Sequence, residues 1–329
     1  MTDLQDLAVT TGAPGLPGGD VSSSESLGLE AKPLSPSRLA WRRFRRHKLA
    51  MLSSVILILI TVLCVFAPLF TKYGPNQLIR VNGVKFALQH PQHGHWFGTN
   101  ERANDMWSNV LYGGRVSLAV GITVALASTA FGTVVGVLAG YYGGWLDDVL
   151  MRITDLFLAI PFLIALILLT DLPASQPWAQ TIIGPSHSVR SIIFIIAILF
   201  WMPVARILRG LVLSLKEKEF VEAARAAGAS NARIMLRHLV PNCTGQIIIN
   251  TTLAVAAAIV TEAALSFLGK GVDIFTPTWG NLLGNNQGFL ESNPALVLAP
   301  GFAIVITVVC VNFIGDGLRD AFDPKQLSV

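Results

Sequence analysis

The side chains that could carry chemistry in this chain are few, and each stands in an unusual place. Glu262 lies alone in the apolar run AAIVTEAALSF; His90, His93 and His95 crowd into HPQHGH; Asp316 sits between Gly315 and Gly317. Between two apolar blocks, residues 219–242 read EFVEAARAAGASNARIMLRHLVPN, charged and alanine-rich, with Gly228 inside and Pro241 near the end. Each invites its own reading. Glu262 could be a proton relay or a buried hydrogen-bonding group, and the histidines a metal site. Asp316 could belong to an intramembrane aspartyl enzyme, and residues 219–242 could form a docking lever or a plain connector.

Spacing disposes of most enzymatic readings. HPQHGH forms an extended turn with no carboxylate or cysteine in register, so turn-forming histidines are expected and no metal site. Asp316 falls past the last apolar block and lacks a second aspartate in the membrane, and no HExxH occurs. The GKG at residues 269–271 lacks the earlier glycine and following Ser or Thr of a phosphate-binding loop, so this chain is expected to bind no nucleotide. Cys64, Cys243 and Cys310 show no CxxC spacing and read as buried free thiols. No catalytic, cofactor-binding or metal-binding residue is therefore expected.

What must position the remaining residues is a set of membrane helices. The 329 residues are 52% hydrophobic and only 13% charged, with mean hydropathy +0.58; a soluble domain carries about 25% charged residues. A helix needs about 20 mostly apolar residues to cross the hydrocarbon. Six blocks meet that need: residues 49–70, 116–140, 153–170, 191–213, 247–268 and 294–314. The expected fold is all-α and polytopic, with Pro161 and Pro203 as tolerable kinks in the third and fourth spans. Residues 1–37, rich in Gly, Ser and Pro, read as a disordered tail. Residues 38–48, RLAWRRFRRHK, suit a short helix among lipid headgroups; nucleic acid is not an expected partner. Residues 71–115 form a loop, 116–315 a core of five spans, and 316–329 a tail. Of the 24 Lys and Arg residues, seventeen fall on the side of both termini and of residues 216–241. The positive-inside rule then places both termini and that loop in the cytoplasm.

Within the loop, Lys216 to Ala229 are strong helix formers. Gly228, Ser230 and Asn231 interrupt them, and a second helix then resumes until Pro241 stops it. Ala223, Ala224, Ala226 and Ala227 leave the backbone approachable, Gly228 permits a bend other residues resist, and Glu222 and Arg225 offer polar contacts at the rim. By composition alone this is equally a docking lever and an amphipathic connector.

The spacing Glu222-Ala223-Ala224, Gly228, then His238-Leu239-Val240-Pro241 resembles the EAA loop of ATP-binding-cassette importer permeases. His-x-x-Pro-Asn resembles the dipeptide and oligopeptide branch. Other segments agree in order: HWFGTN (95–100), AGYYGGWLDDVLMRITD (139–155), LSFLGKG (265–271), PTWG (277–280) and NFIGDGLRDAFDP (312–324). The chain is thus similar, over about residues 38–325, to the C-type permease subunit of a peptide importer in a bacterial cytoplasmic membrane. It departs at Ala103-Asn104, where that branch carries Gly-Arg; Asp105 remains, and any charge pairing by the missing arginine is lost or moved to Arg102. The resemblance implies a type I importer fold and a homologous second permease. It implies two ATPase subunits that hold ATP and Mg, an external binding protein, and peptide in transit. Nickel or another small solute is the alternative cargo; a proton-coupled transporter using Glu262 is the alternative mechanism. It assigns ATPase coupling to Glu222, Ala223, Ala224, Arg225, Ala227, Gly228, Ala229 and Pro241. It also makes Glu262 the usual glutamate before LSFLG, an interhelical hydrogen-bonding group.

Overall fold

The apolar blocks become helices because their backbone polar groups have no water to bond inside a bilayer. The computed structural model describes residues 36–81 and 83–322. Residues 1–35 of the expected disordered tail and the end of the C-terminal tail, 323–329, lie outside them. Among the described residues, five helices are long and apolar enough to cross a membrane, or six spans if one sharply bent pair is counted as one. The first is α2 (Lys48–Val65), preceded by α1 (Pro36–Arg46) and followed by the turn α3 (Ala67–Phe70). A small hairpin, β1 (Arg80–Val81) with β2 (Val84–Lys85), decorates the next loop. Then come α4 (Met106–Tyr142), the bent pair α5 (Gly144–Ala159) and α6 (Phe162–Thr170), and two short turns, α7 (Leu172–Ser175) and α8 (Pro177–Ile183). The second half holds α9 (Val189–Leu215), α10 (Glu219–Ala226), α11 (Asn231–Ile234), α12 (Val240–Phe267), α13 (Trp279–Asn286) and α14 (Ala295–Phe322).

Four boundaries differ from those expected, each for a physical reason. α4 begins at Met106, ten residues before the apolar block and inside the expected loop 71–115. Its first turn is closed by Asp105, which accepts from the backbone N–H of Ser108 (2.9 Å) and caps the helix. The third span is no gently kinked helix: α5 and the α6–α7 run meet at 88°. Ile160, before Pro161, is driven into extended backbone (φ −79°, ψ 131°). By contrast α9 runs through Pro203. α14 continues to Phe322, so Asp316 lies inside a helix and not past its end, and the expected tail 316–329 starts as helix.

The fourth correction concerns Pro241, which does not end a helix. Residues 231–267 run on as one span, through a π-helical turn at Met235–Leu239. The Val240 N–H bonds the Met235 carbonyl, five residues back. This wider register falls directly before the proline, whose ring would otherwise crowd the carbonyl four residues back.

Lipid tails are as apolar as leucine, so close packing rather than water exclusion holds these helices together. α4 is the central post, packed on α9 and α12. Gly132, Gly136 and Gly140 line one edge of it. A Cβ added at these positions would lie 2.6, 2.5 and 2.9 Å from the carbonyl oxygens of Trp201, Ala205 and Arg209. α4 and α9 therefore touch backbone to backbone. α2 and α12 pack on α14, and α1 folds back onto its end, burying Ala40 and Phe44 with Ala50 and Ala321. The basic segment is thus half protein-bound; Trp41 stays exposed. The end of α14 also meets the start of α12, where Phe322 abuts Gly245.

Candidate functional site: the loop between the fourth and fifth spans

Residues 216–239 leave α9, form α10, turn sharply and enter α11. Val221 is wholly buried among Val137 and Tyr141 of α4, Val204, Leu208 and Val212 of α9, and Ile234 and Leu239. Val221, the one buried side chain of α10, thereby seats it on the ends of both spans, while Phe220 stays exposed. Its turn is a Schellman closure: the Gly228 N–H bonds the Arg225 carbonyl (3.0 Å) and the Ala229 N–H bonds the Ala224 carbonyl (3.0 Å). Gly228 carries φ +78°, a left-handed conformation. Ala224 and Ala229 pack together against the same cluster. Ser230 then caps α11, accepting from the Arg233 N–H (3.4 Å).

Two contacts tie this turn to α4. The Tyr141 hydroxyl donates to Asn231 Oδ1 (2.8 Å), and the Arg225 guanidinium stands over the Tyr141 ring at 6.0 Å. At the same end, Arg209 of α9 forks onto Asp147 of α5 (2.5 and 2.6 Å), and Arg206 pairs with Asp155. The assigned loop residues thus divide. Glu222, Ala223, Arg225, Ala227 and Gly228 are exposed together, while Ala224 and Ala229 face the protein. Pro241 belongs to α12, though it too is exposed. The result is a rigid, small-residue surface bolted to α4 and α9 and facing away from the bundle. The contacts of Tyr141 and Asp147 are not predictable from their segment, residues 139–155. The segment's one signal is an aromatic and a carboxylate flanking a Gly-Gly turn.

Glu262 lies at the opposite end of α12 and is fully buried. It accepts from Ser266 Oγ (2.7 Å) and Ser117 Oγ (3.3 Å). Ser117 in turn accepts the Trp279 N–H (3.1 Å), and the Trp279 indole N–H donates to the Val110 carbonyl (2.9 Å). The carboxyl group therefore knits α12, α4 and α13 together.

The histidines correct one detail: HPQHGH does have a carboxylate in reach. His95 Nδ1 lies 2.8 Å from Asp105 Oδ1 and is buried between Tyr73 and Phe86, while Asp105 Oδ2 accepts from Ser108 Oγ (2.7 Å). That pair fastens the loop to the cap of α4. His90 and His93 do not join it, and among the described residues no three His, Cys, Asp or Glu side chains converge as metal ligands. Arg102 stacks over Phe275 at 5.3 Å rather than meeting Asp105.

Comparisons with known proteins agree with this architecture. The family model for the binding-protein-dependent transport system inner membrane component matches residues 132–328, and that for the N-terminal TM domain of oligopeptide transport permease C matches residues 35–91. The chain is 38% identical over 295 residues to the dipeptide transport system permease protein DppC of Alkalihalophilus pseudofirmus, covering 90% of this chain and 92% of that one. It is 38% identical over 303 residues to the oligopeptide transport system permease protein OppC of Escherichia coli, covering 92% and 95%. Among solved structures it resembles a chain of the MetNI methionine ABC transporter in inward-facing form, with TM-score 0.54 and 23% identity over 66% of this chain and 97% of that one. That last likeness speaks to the fold alone. The chain belongs to the binding-protein-dependent transport inner membrane components, and is a multi-pass permease of the bacterial cytoplasmic membrane.

Proposed function

We propose that this permease forms half of the translocation pathway of an ATP-driven peptide importer. It pairs with a homologous second permease, receives peptide from an external binding protein, and is driven by two ATPase subunits that hold ATP and Mg. The curated relatives are dipeptide and oligopeptide permeases, which supports the cargo class. The observation that carries the mechanism is the exposed face of α10, fixed by the Gly228 turn and by Val221 to the ends of α4 and α9. In this reading the loop end of the bundle lies in the cytoplasm and a pocket on one ATPase grips Glu222, Ala223 and Ala227, the other ATPase holding the second permease. Closure of the ATPases then moves α4 and α9 directly. Shifting an equilibrium from 1:99 to 99:1 takes about 5.5 kcal/mol; a bolted lever can transmit it, whereas a floppy connector would dissipate it.

The test is co-purification of the complex, followed by ATPase and peptide-uptake assays in proteoliposomes. Ala223→Glu puts a bulky charge on the exposed face without touching the buried cluster. It is expected to leave the permease in the membrane and to strip ATPase subunits or uncouple hydrolysis from uptake. Full retention and normal import would make the loop a passive connector.

A further inference from the structure

Along α12, three carboxamides recur every fourth residue: Asn242, Gln246 and Asn250. Asn242 is exposed and the other two are half-buried, although α4, α9, α13 and α14 all pack on this helix. Two of the side chains bond back to their own helix: Asn242 Nδ2 donates to the His238 carbonyl (2.6 Å) and Asn250 Nδ2 to the Gln246 carbonyl (2.9 Å). Among the described residues the Gln246 carboxamide has no hydrogen-bond partner, and neither has Asn250 Oδ1. Polar groups like these, partly exposed within a span, are poorly placed against lipid tails. They belong against water or a polar guest. The same face continues towards Glu262 as Leu253, Ala257 and Val260, exposed and apolar, so the polar stretch is confined to the loop half of the span.

We propose that Gln246 and Asn250, with Asn242 at the mouth, form a ladder that binds the backbone of the peptide in transit. This inference rests on the peptide reading above. Residues four apart on a helix rise about 6 Å. An extended peptide presents an N–H and C=O pair on one edge every two residues, about 6.6–6.8 Å. A carboxamide offers both an acceptor and donors, the complement of that pair. The ladder thus matches a short extended peptide rung for rung and reads no side chain, which suits a pathway passing many sequences. A single metal ion or a compact solute would engage one rung at most.

Two experiments test this on the assembled complex. First, Gln246→Cys and Asn250→Cys, with the three native buried cysteines replaced by Ser, are exposed to a membrane-impermeant thiosulfonate. Both are expected to react and to be protected by transported tripeptide, whereas Phe302→Cys, on an exposed apolar face of α14, stays unreactive. Second, the near-isosteric Gln246→Met and Asn250→Leu are each expected to weaken uptake roughly threefold to tenfold. The loss should be equal for acidic, basic and apolar tripeptides, with complex assembly unchanged. Unreactive cysteines, import at the parental rate, a loss confined to one side-chain class, or loss of the second permease with parental import by what remains assembled would each overturn the ladder. If the parent complex imports no peptide at all, it is the functional reading that fails.

Discussion

At the scale of single residues, Gly228 and Glu262 show two different demands on a side chain. Nothing lies within 4 Å of where a Gly228 Cβ would sit, so a substitution there meets strain and no clash. The φ of +78° sets the penalty. Gly228→Ala is expected to destabilise the turn by about 1–2 kcal/mol, and Gly228→Asn by less, because Asn visits the left-handed region more readily. Coupling ratios, peptide imported per ATP hydrolysed, should fall in the order Gly, Asn, Ala. A ratio insensitive to all three would mean the turn carries no load. Glu262 is the reverse case, enclosed and hydrogen-bonded on both oxygens. Glu262→Gln keeps its shape, and uptake should persist with an unchanged pH profile; abolished uptake in an assembled complex would point to a proton relay instead.

Elements are held by contacts that a single methyl group can disturb. Gly136 lets α4 and α9 meet at their backbones, and an added Cβ would lie 2.5 Å from the Ala205 carbonyl. Gly136→Leu must therefore push the two spans apart. Its expected signature is a lower thermal unfolding midpoint in detergent and less assembled complex, at a cost of about 1–3 kcal/mol. Gly210, with nothing within 4 Å, serves as the control at which Ala should be harmless. The Arg209–Asp147 fork joins α9 to α5 at the same end. Arg209→Lys keeps the charge and loses the bidentate geometry. A loss of about 1–2 kcal/mol is expected, between the surface and buried limits for ion pairs. A double-mutant cycle with Asp147→Asn should return a coupling energy of that size; zero coupling would leave the fork ornamental.

Across the whole molecule, the contacts of α1 on α14, of α14 on the start of α12, and of α4 on α11 gather at one end. Both ends of the described chain therefore share a side with α10, and so does the excess of Lys and Arg. A fluorescent protein fused after Val329 should mature in the cytoplasm, and alkaline phosphatase inserted near His90 should be active outside. The opposite pattern would invert the topology and move α10 away from any cytoplasmic ATPase.

Hydropathy and charge bias sufficed for the number of spans and the grouping of the termini with the loop, because both express a cost borne by each segment alone in the bilayer. The Gly228 bend was legible for the same local reason. Tertiary structure decided what depends on partners. The first turn of α4 joins the helix because Asp105 caps it. Pro241 continues a helix because a π turn opens in front of it. Pro161 breaks its span by 88° rather than kinking it. Residues 219–242 alone suited a lever and a connector equally. Val221, an ordinary valine in the sequence, is buried in one cluster with residues of α4 and α9, so the start of the loop is seated on the ends of both spans.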